Sequence, residues 1–538
     1  MSLLDIRDLR VSYAGRLEIV KGASLAVEKG RTTCLVGESG SGKSMIANAV
    51  MDLLPSSQLK VSGGDIRYDG RSLVGLPAAQ MRGLRGRAIS MIFQDPMSAL
   101  NPVRGIRTQF DEVFSSHGIE PGQGRRARML ELLELARLPE PPRILDAYPF
   151  ELSGGQRQRV MISMAMALNP DVLIADEPTT ALDVTTQAQI LRLIRDLQRD
   201  FGTAVLFITH DFGVVAQIAD DVVVLRHGEV VEQGAADDLL RGARHPYTRE
   251  LIAAIPDWAP RPAAEAGAPV VQGVGVVKTF ATKAGDVRAL DNVSIAVRAG
   301  KTLGVVGESG SGKSTFAKCL VGLEEADAGE IRVAGENILA LPVGRRRARR
   351  RMMQVVFQDP GAALNPRHTI GRTIMDVLRA NGQGRAAARD AALALLDDVK
   401  LERAFFDRFP HELSGGQRQR VCIARALAAD PKVLIADEAL SALDVSVQRQ
   451  MLALFADLKS RRDLTILFIT HDLRVAAEIC DELVVMKSGR VVASGAPAEV
   501  LEGDMHPYVA ELMAAIPGQD WFPVGSEATS AIGRETAS

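Results

Sequence analysis

Gly37-Glu38-Ser39-Gly40-Ser41-Gly42-Lys43-Ser44 reads G-x-x-x-x-G-K-S, set between an apolar run (Cys34-Leu35-Val36) and a helix-forming one (Met45 to Val50). Strand, glycine loop and helix in that order are what a phosphate-binding loop requires. The glycines let the backbone turn its N–H groups inward on one anion, and the helix adds the positive end of its dipole. Lys43 can reach the outer phosphates, and the Ser44 hydroxyl can hold Mg²⁺. Farther on, Val172-Leu173-Ile174-Ala175 delivers two adjacent carboxylates, Asp176 and Glu177. Such a pair can hold Mg²⁺, directly or through water, and polarise an attacking water. Gln94 follows the run Ile89 to Phe93, where its amide can reach metal or water. Ser153-Gly154-Gly155-Gln156, ahead of Arg157 and Arg159, supplies a hydroxyl and flexible amides at a second anion-binding helix start. Spacing alone does not say which nucleotide that start would serve.

All of this occurs twice. Gly307-Glu308-Ser309-Gly310-Ser311-Gly312-Lys313-Ser314 repeats the loop at an offset of 270 residues, and Gln358 repeats Gln94 at 264. Ser414-Gly415-Gly416-Gln417 (with Arg418 and Arg420), Asp437-Glu438 and His471 repeat Ser153 to Gln156, Asp176-Glu177 and His210 at 261. A lone His after an apolar strand is usually structural. The pair in register, His210 and His471, points to contact with a terminal phosphate. A period this long means two domains rather than a solenoid of short repeats.

The elements that must position these groups follow from the pattern. Ala204 to Ile208 is a further apolar run, ending at Thr209-His210. Continuous apolar runs of this kind predict buried parallel strands of an α/β sheet, with ligands at the strands' carboxyl ends. Leu3 to Val11 alternates as a strand does. Residues 97–150 are charged and helix-prone, which predicts a helical insertion between Gln94 and Ser153. Asp257 to Pro269 is Pro/Ala-rich and aperiodic, a linker. The expected organisation is therefore 1–256, linker 257–269, 270–524, and a polar, disordered tail 525–538.

Composition excludes several classes. A formal charge of −2 over 538 residues gives no electrostatic case for nucleic acid. No apolar run approaches the ~18 residues of a membrane span, and Met1 to Val11 lacks a signal-peptide layout. Cys34, Cys319, Cys422 and Cys480 are far apart and read as small buried hydrophobes. Arg345 to Arg351 is the densest basic run. It reads as a solvated helical face, with anionic lipid headgroups or a membrane partner as the sharper alternative.

The order phosphate loop, glutamine, Leu-Ser-Gly-Gly-Gln, strand-end Asp-Glu, Ala-Leu-Asp (Ala181 to Asp183; Ala442 to Asp444) and histidine resembles the ATP-binding cassette (ABC) ATPases over nearly the whole chain. The resemblance implies two ABC-type P-loop NTPase domains, each a RecA-like mixed-sheet core plus a helical subdomain, paired pseudo-twofold and head to tail. Each ATP would lie between one copy's phosphate loop and the other's Leu-Ser-Gly-Gly-Gln. Lys43, Ser44, Gln94, Asp176, Glu177 and His210 would work with Ser414 and Gly416. Lys313, Ser314, Thr315, Gln358, Asp437, Glu438 and His471 would work with Ser153 and Gly155. Mg²⁺ would sit with Ser44, Gln94 and Asp176 in one site and with Ser314, Gln358 and Asp437 in the other. Tyr13 and Phe280 match the aromatic that stacks on adenine, and Asp183 and Asp444 match residues linking the two sites across the interface.

The finer resemblance is to importer ATPases for dipeptides, oligopeptides and nickel. It rests on Gln-Asp-Pro-x-x-x-Leu-Asn-Pro (Gln94 to Pro102; Gln358 to Pro366) and on His245-Pro246-Tyr247 and His506-Pro507-Tyr508. It implies two integral-membrane permease subunits and an extracytoplasmic solute-binding protein as partners. It also implies a peripheral place on the cytoplasmic face of the inner membrane, and two fused ATPase subunits. Ala439 stands where the first copy has Pro178, and Ser441 where it has Thr180. The cysteine-rich C-terminal cluster of many such proteins is missing, so no iron–sulfur centre is expected. The competing reading, a soluble tandem ABC ATPase on ribosomes or nucleic acid, would call for a long charged linker or zinc sites. A nucleotide-dependent scaffold without turnover is disfavoured by the two retained glutamates.

Overall fold

The computed structural model of the chain describes residues 2–120, 122–180, 182–256, 258, 260–262, 267–282, 285–441, 443–519 and 521. Ala181, Ala442, part of the linker and the tail from Gly525 lie outside them. Two compact units result, one built on Met1–Ile255 and the other on Pro256–Leu443 and Val447–Ile516.

In the first unit a six-stranded sheet runs Glu229–Ala235, Asp221–Arg226, Thr32–Val36, Ala204–Thr209, Val172–Asp176, Ile89–Ile92. All pairings are parallel except that of the edge strand Glu229–Ala235. Side chains alternate between two cores, which is why the strands read as unbroken apolar runs. Cys34, Val36 and Phe207 face one core, shared with the helical insertion through Phe110, Phe114 and Leu133 and with the helix Gly154–Ala165 through Ile162. Leu35, Ile174, Leu206 and Ile208 face the other, shared with an antiparallel sheet through Leu4, Val11, Val20 and Ile66. That sheet is Leu17–Glu28, Ser2–Tyr13, Leu59–Tyr68, Arg71–Ser72. Each fully buried Leu or Phe stabilises by ~1.5–3 kcal/mol, so both cores hold the strand ends in place.

The insertion expected after Gln94 is helical: Pro96–Ala99, Ile106–Ser116, Gln123–Leu135 and Pro141–Asp146. The second unit repeats the plan. Its six-stranded sheet is Met353–Val356, Val433–Asp437, Thr465–Ile469, Thr302–Val306, Glu482–Lys487, Arg490–Gly495, and its antiparallel sheet opens with Pro269–Thr282. All four cysteines are buried, and each thiol is driven upward in pKa by burial.

Two segments make contacts that their composition does not announce. In the linker, Trp258 Nε1 donates to Glu502 Oε1 (3.4 Å), Arg261 pairs with Asp481 (3.2 Å), and the Arg261 carbonyl accepts from Ala498 N (3.2 Å). Such contacts leave no periodicity in the sequence. The basic run, in the helix Val343–Arg350, buries no residue and faces solvent, and it also makes local contacts. Arg345 and Arg349 both pair with Glu336 (2.9 Å each), and Arg346 donates to the carbonyls of Leu339 and Leu341.

Candidate nucleotide site in each unit

The buried strand Thr32–Val36 runs straight into the glycine loop, and the helix Lys43–Val50 leaves it. Gly37 has φ +153°, and a Cβ there would strike the Leu225 carbonyl; Gly307 (φ +148°) is pinned in the same way against Met486. Only glycine fits where loop and neighbouring strand meet this closely. Lys43 is buried, with Nζ donating to the carbonyls of Gly37 (2.6 Å) and Glu38 (2.8 Å). Burial lowers its pKa, and the Glu177 carboxylate works against that shift. Lys313 makes the same two bonds at 2.7 Å each. The Ser41 hydroxyl is buried in this loop with no hydrogen-bond partner. A buried ammonium and an orphaned hydroxyl inside a ring of amides fit a phosphate.

The Ser44 hydroxyl donates to Asp176 Oδ1 at 3.1 Å, and Ser314 to Asp437 Oδ1 at 2.8 Å. A hydroxyl beside a carboxylate is a hard-oxygen pair suited to Mg²⁺. Burial pushes the Asp176 carboxyl up to about 6, with the Ser44 bond opposing and the Glu177 charge adding. Asp437 is raised too, chiefly by burial. A cation there would relieve the cost of ionising either group.

Glu177 and Glu438 sit in the left-handed backbone region, φ 46° and 48°. Each returns its amide to the next strand, Glu177 to Ile208 O and Glu438 to Ile469 O (3.0 Å both). That strained turn lifts the carboxylate off the strand end. Glu177 Oε2 accepts from Gln94 Nε2 and from Thr180 Oγ1 (3.0 Å each), and Oε1 faces His210 Nδ1 at 3.3 Å. Burial would raise the Glu177 carboxyl, but the His210 bond and charge, with Lys43, bring it down to about 2. His210 is raised in turn: burial opposes its charge, and Glu177 outweighs burial. In the second unit Gln358 Nε2 reaches Glu438 Oε2 at 2.8 Å, His471 Nδ1 stands 3.9 Å from it, and the Ser441 hydroxyl turns back to the Glu438 carbonyl (3.0 Å).

The Leu-Ser-Gly-Gly-Gln strings start helices through reciprocal caps. Ser153 Oγ accepts from Gln156 N (3.3 Å) while Gln156 Oε1 accepts from Ser153 N (3.0 Å), and Ser414 and Gln417 do the same at 3.3 and 2.9 Å. Two of the arginines beyond them hold backbone carbonyls. Arg159 donates to the Arg137 carbonyl and Arg420 to the Val399 carbonyl, both at 3.0 Å, tying each helix to its insertion. Asp183 caps the helix Val184–Phe201; Asp444 immediately precedes the helix Val445–Arg462. Tyr13 is exposed at a strand end, and Lys278 lies over the Phe280 ring.

Two contacts were not foreseen from the sequence. The Thr180 hydroxyl on Glu177 is one; Thr180 stood there only as a mild change from Ser441. The other joins the His-Pro-Tyr segment to the phosphate loop. Glu38 N donates to the Tyr247 hydroxyl (3.1 Å), and Glu308 N to that of Tyr508 (3.2 Å). Their recurrence at the 261-residue spacing was the available signal.

Among the described residues no helix is long and apolar enough to cross a membrane. The family model "ABC transporter" matches residues 20–180 and 290–441, and "Oligopeptide/dipeptide transporter, C-terminal region" matches 231–270. The glutathione import ATP-binding protein GsiA of Salmonella typhimurium LT2 is 44% identical, over 96% of this chain and 90% of that protein. The peptidoglycan transport ATP-binding protein YejF of Agrobacterium fabrum is 45% identical, over 95% and 96%. Among solved structures, the ATP-binding cassette MJ0796, a dimer bound to ADP and Pi, matches 42% of this chain and 98% of its own at 29% identity, with a TM-score of 0.39. Two phosphate-loop units in one chain, each covered by the same family model, make this protein a tandem member of the ABC transporter family and an ATPase.

Proposed function

We propose that each unit binds ATP·Mg²⁺ through the groups described, and that hydrolysis drives uptake of glutathione, small peptides or related solutes. The observation that carries this is the duplicated constellation: buried lysine inside the loop, Ser–Asp oxygen pair, and Glu on a strained strand end beside Gln and His. Lys43 and the loop amides hold the β- and γ-phosphates. Ser44 with Asp176, and Ser314 with Asp437, hold Mg²⁺, with Gln94 and Gln358 within reach. When bound, Mg²⁺ neutralises phosphate charge as the terminal group leaves. Glu177 and Glu438 orient the attacking water, and His210 and His471 meet the terminal phosphate.

The cassettes of the one chain pair, each loop completed by the other copy's Ser-Gly-Gly (Ser414 and Gly416; Ser153 and Gly155), with Asp183 and Asp444 at the seam. Tyr13 and Phe280 stack on adenine. The partners are two permease subunits and an extracytoplasmic solute-binding protein, at the cytoplasmic face of the inner membrane. The helical insertions, joined to the sites through Gln94 and Gln358, pass ATP-driven closure to those permeases. ATP binding favours the closed pair, and hydrolysis removes that bias.

Phosphate release and ATP binding test the site together. Glu177→Gln with Glu438→Gln keeps ATP binding and cuts release by about 10²-fold or more. Lys43→Ala with Lys313→Ala weakens binding itself. Unchanged release in the first double variant removes the assigned glutamates, and wild-type affinity in the second removes the phosphate-loop lysines.

A further inference from the structure

Late in each unit comes a segment whose three residues, repeated in register, divide one task. In the first, His245 precedes the helix Pro246–Ala253, and its Nδ1 accepts from Tyr247 N at 3.2 Å. Pro246 fills the first helical position, where no amide is needed. Both carboxylate oxygens of Glu232 accept from the amides just upstream, Arg244 N (2.7 Å) and His245 N (3.2 Å). The start of the helix is thereby fixed, and with it the direction of the next side chain. Tyr247 is buried, with the Arg226 guanidinium 4.6 Å from the centre of its ring. Its hydroxyl accepts the Glu38 amide proton, 209 residues away in sequence.

The second unit repeats every part of the device that bears on the loop. His506 Nδ1 accepts from Tyr508 N (3.2 Å), Lys487 lies 4.1 Å from the centre of the Tyr508 ring, and the Tyr508 hydroxyl accepts from Glu308 N. Arg226 and Lys487 both end the strand whose carbonyls, at Leu225 and Met486, abut Gly37 and Gly307. Strand end, tyrosine and glycine loop thus form one packed corner.

We propose that Tyr247 and Tyr508 are positioning residues for ATP, each holding the first peptide of its phosphate loop in the orientation that turns the remaining amides toward phosphate. The proposal rests on the reading of those loops as the ATP sites. The Glu38 and Glu308 amides are satisfied by the phenols, so these two peptides are anchored outward while the carbonyls of the same peptides, Gly37 O and Gly307 O, accept from Lys43 and Lys313 within. Burial, with the Glu38 carboxylate nearby, pushes the Tyr247 phenol up to about 12, so it stays neutral throughout the range in which the enzyme would work. A loop fixed before the ligand arrives loses less entropy on binding. The gain belongs to nucleotide affinity and not to the chemical step.

The test uses the full chain carrying Tyr247→Phe and Tyr508→Phe together, which keep both rings and their cations and delete only the hydroxyls. KM for ATP and the Kd for a non-hydrolysable ATP analogue are expected to rise about three- to tenfold, as for loss of the phenol's hydrogen bonding at each site. At saturating ATP, kcat should stay within about twofold of wild type and the melting temperature within a few degrees. His245→Ala with His506→Ala, which frees the helix start, should raise KM in the same direction. Lys43→Ala with Lys313→Ala is measured alongside. If the lysine variant loses ATP and the Phe variant keeps wild-type KM and Kd, the positioning role is overturned and the ATP site stands. If the Phe variant lowers melting temperature and kcat with KM unchanged, the tyrosines are structural and the proposal fails. If the lysine variant binds ATP as wild type does, both readings fall.

Discussion

Gln94, Thr180 and His210 all stand within 3.3 Å of the Glu177 carboxylate, whereas Glu438 has Gln358 at 2.8 Å and His471 only at 3.9 Å. The frames around the two glutamates are otherwise the same. Their φ angles are 46° and 48°, and both amides bond the adjacent strand at 3.0 Å. Ala439 in place of Pro178 therefore leaves the turn undisturbed. What differs is one methyl group. Thr180 is β-branched, with few χ1 choices, and its hydroxyl is aimed at the carboxylate. Ser441 lacks the branch and turns its hydroxyl to its own local carbonyl, a common habit of serine. A nearly duplicated site can thus hold its key group firmly in one copy and loosely in the other.

The largest effect that could break this comparison comes from the glutamates one at a time. Phosphoryl transfer asks for positioning of water and charge more than for strong proton removal. The better-held Glu177 should then carry more turnover, despite its lowered basicity. Glu177→Gln alone is expected to reduce phosphate release several-fold more than Glu438→Gln alone, in assays at saturating ATP. Equal losses would mean that the extra contacts on Glu177 do not bear on rate. A smaller effect isolates the hydroxyl that the branch aims. Thr180→Val keeps the branch and removes the donor, and should lower kcat about three- to fivefold, up to about 1 kcal/mol, as for one ordinary intramolecular hydrogen bond. Ser441→Ala removes a hydroxyl that touches only backbone and should change kcat by less than about 2.3-fold, the equivalent of a loss within ±0.5 kcal/mol.

The Glu177–His210 pair also sets a pH dependence for the nucleotide-free first unit. Glu177 is lowered from 4.5 to about 2, so its contribution is present above 4.5 and lost as pH falls through about 2. His210 is raised above 6.5, so its contribution is complete below 6.5 and lost as pH rises through the folded value. The pair therefore stabilises most between those limits. In calorimetry the transition of the first unit should fall as pH is raised beyond 6.5, and His210→Gln should flatten that decline. A wild-type transition unmoved from neutral to alkaline pH would remove the coupling.

Much of this was legible beforehand because phosphate chemistry fixes both residue type and spacing. Glycine, Lys43 and Ser44 must share one loop, and Asp176, Glu177 and His210 must end strands; strands buried on both faces announce themselves as apolar runs. The doubling made even Gln94 and His210 readable. Less visible were contacts between segments far apart in sequence. The 209 residues between Glu38 and Tyr247 give no local pattern, and the hydroxyl of Thr180 points where its rotamer sends it. The carbonyl contacts of Arg159 and Arg420 were hidden as well, because a cation near a glycine-rich helix start suits an anion as well as it suits the carbonyl it meets. The linker's contacts were hidden for a related reason: Trp258 and Arg261 dock by single side chains, and single contacts have no period.

That docked linker supplies the smallest contrast between the units. Asp220 Oδ2 accepts from Thr32 N and Asp481 Oδ2 from Thr302 N, both at 2.7 Å, each capping the first residue of the strand that leads to a phosphate loop. Only Asp481 also binds Lys459 (2.6 Å) and the linker's Arg261 (3.2 Å). Burial would raise the Asp481 carboxyl, but Lys459 and the Thr302 amide hold it below the usual carboxylate range. Arg261 is half exposed, so its share is that of a partly screened ion pair, about 0.2–1 kcal/mol. Arg261→Ala should lower the melting temperature of the second unit by no more than a few degrees and leave that of the first unchanged. Raising salt should shrink the difference, because an exposed partner is screened where a buried one is not. A loss confined to the first unit, or one that grows with salt, would show that the linker is not anchored through Asp481.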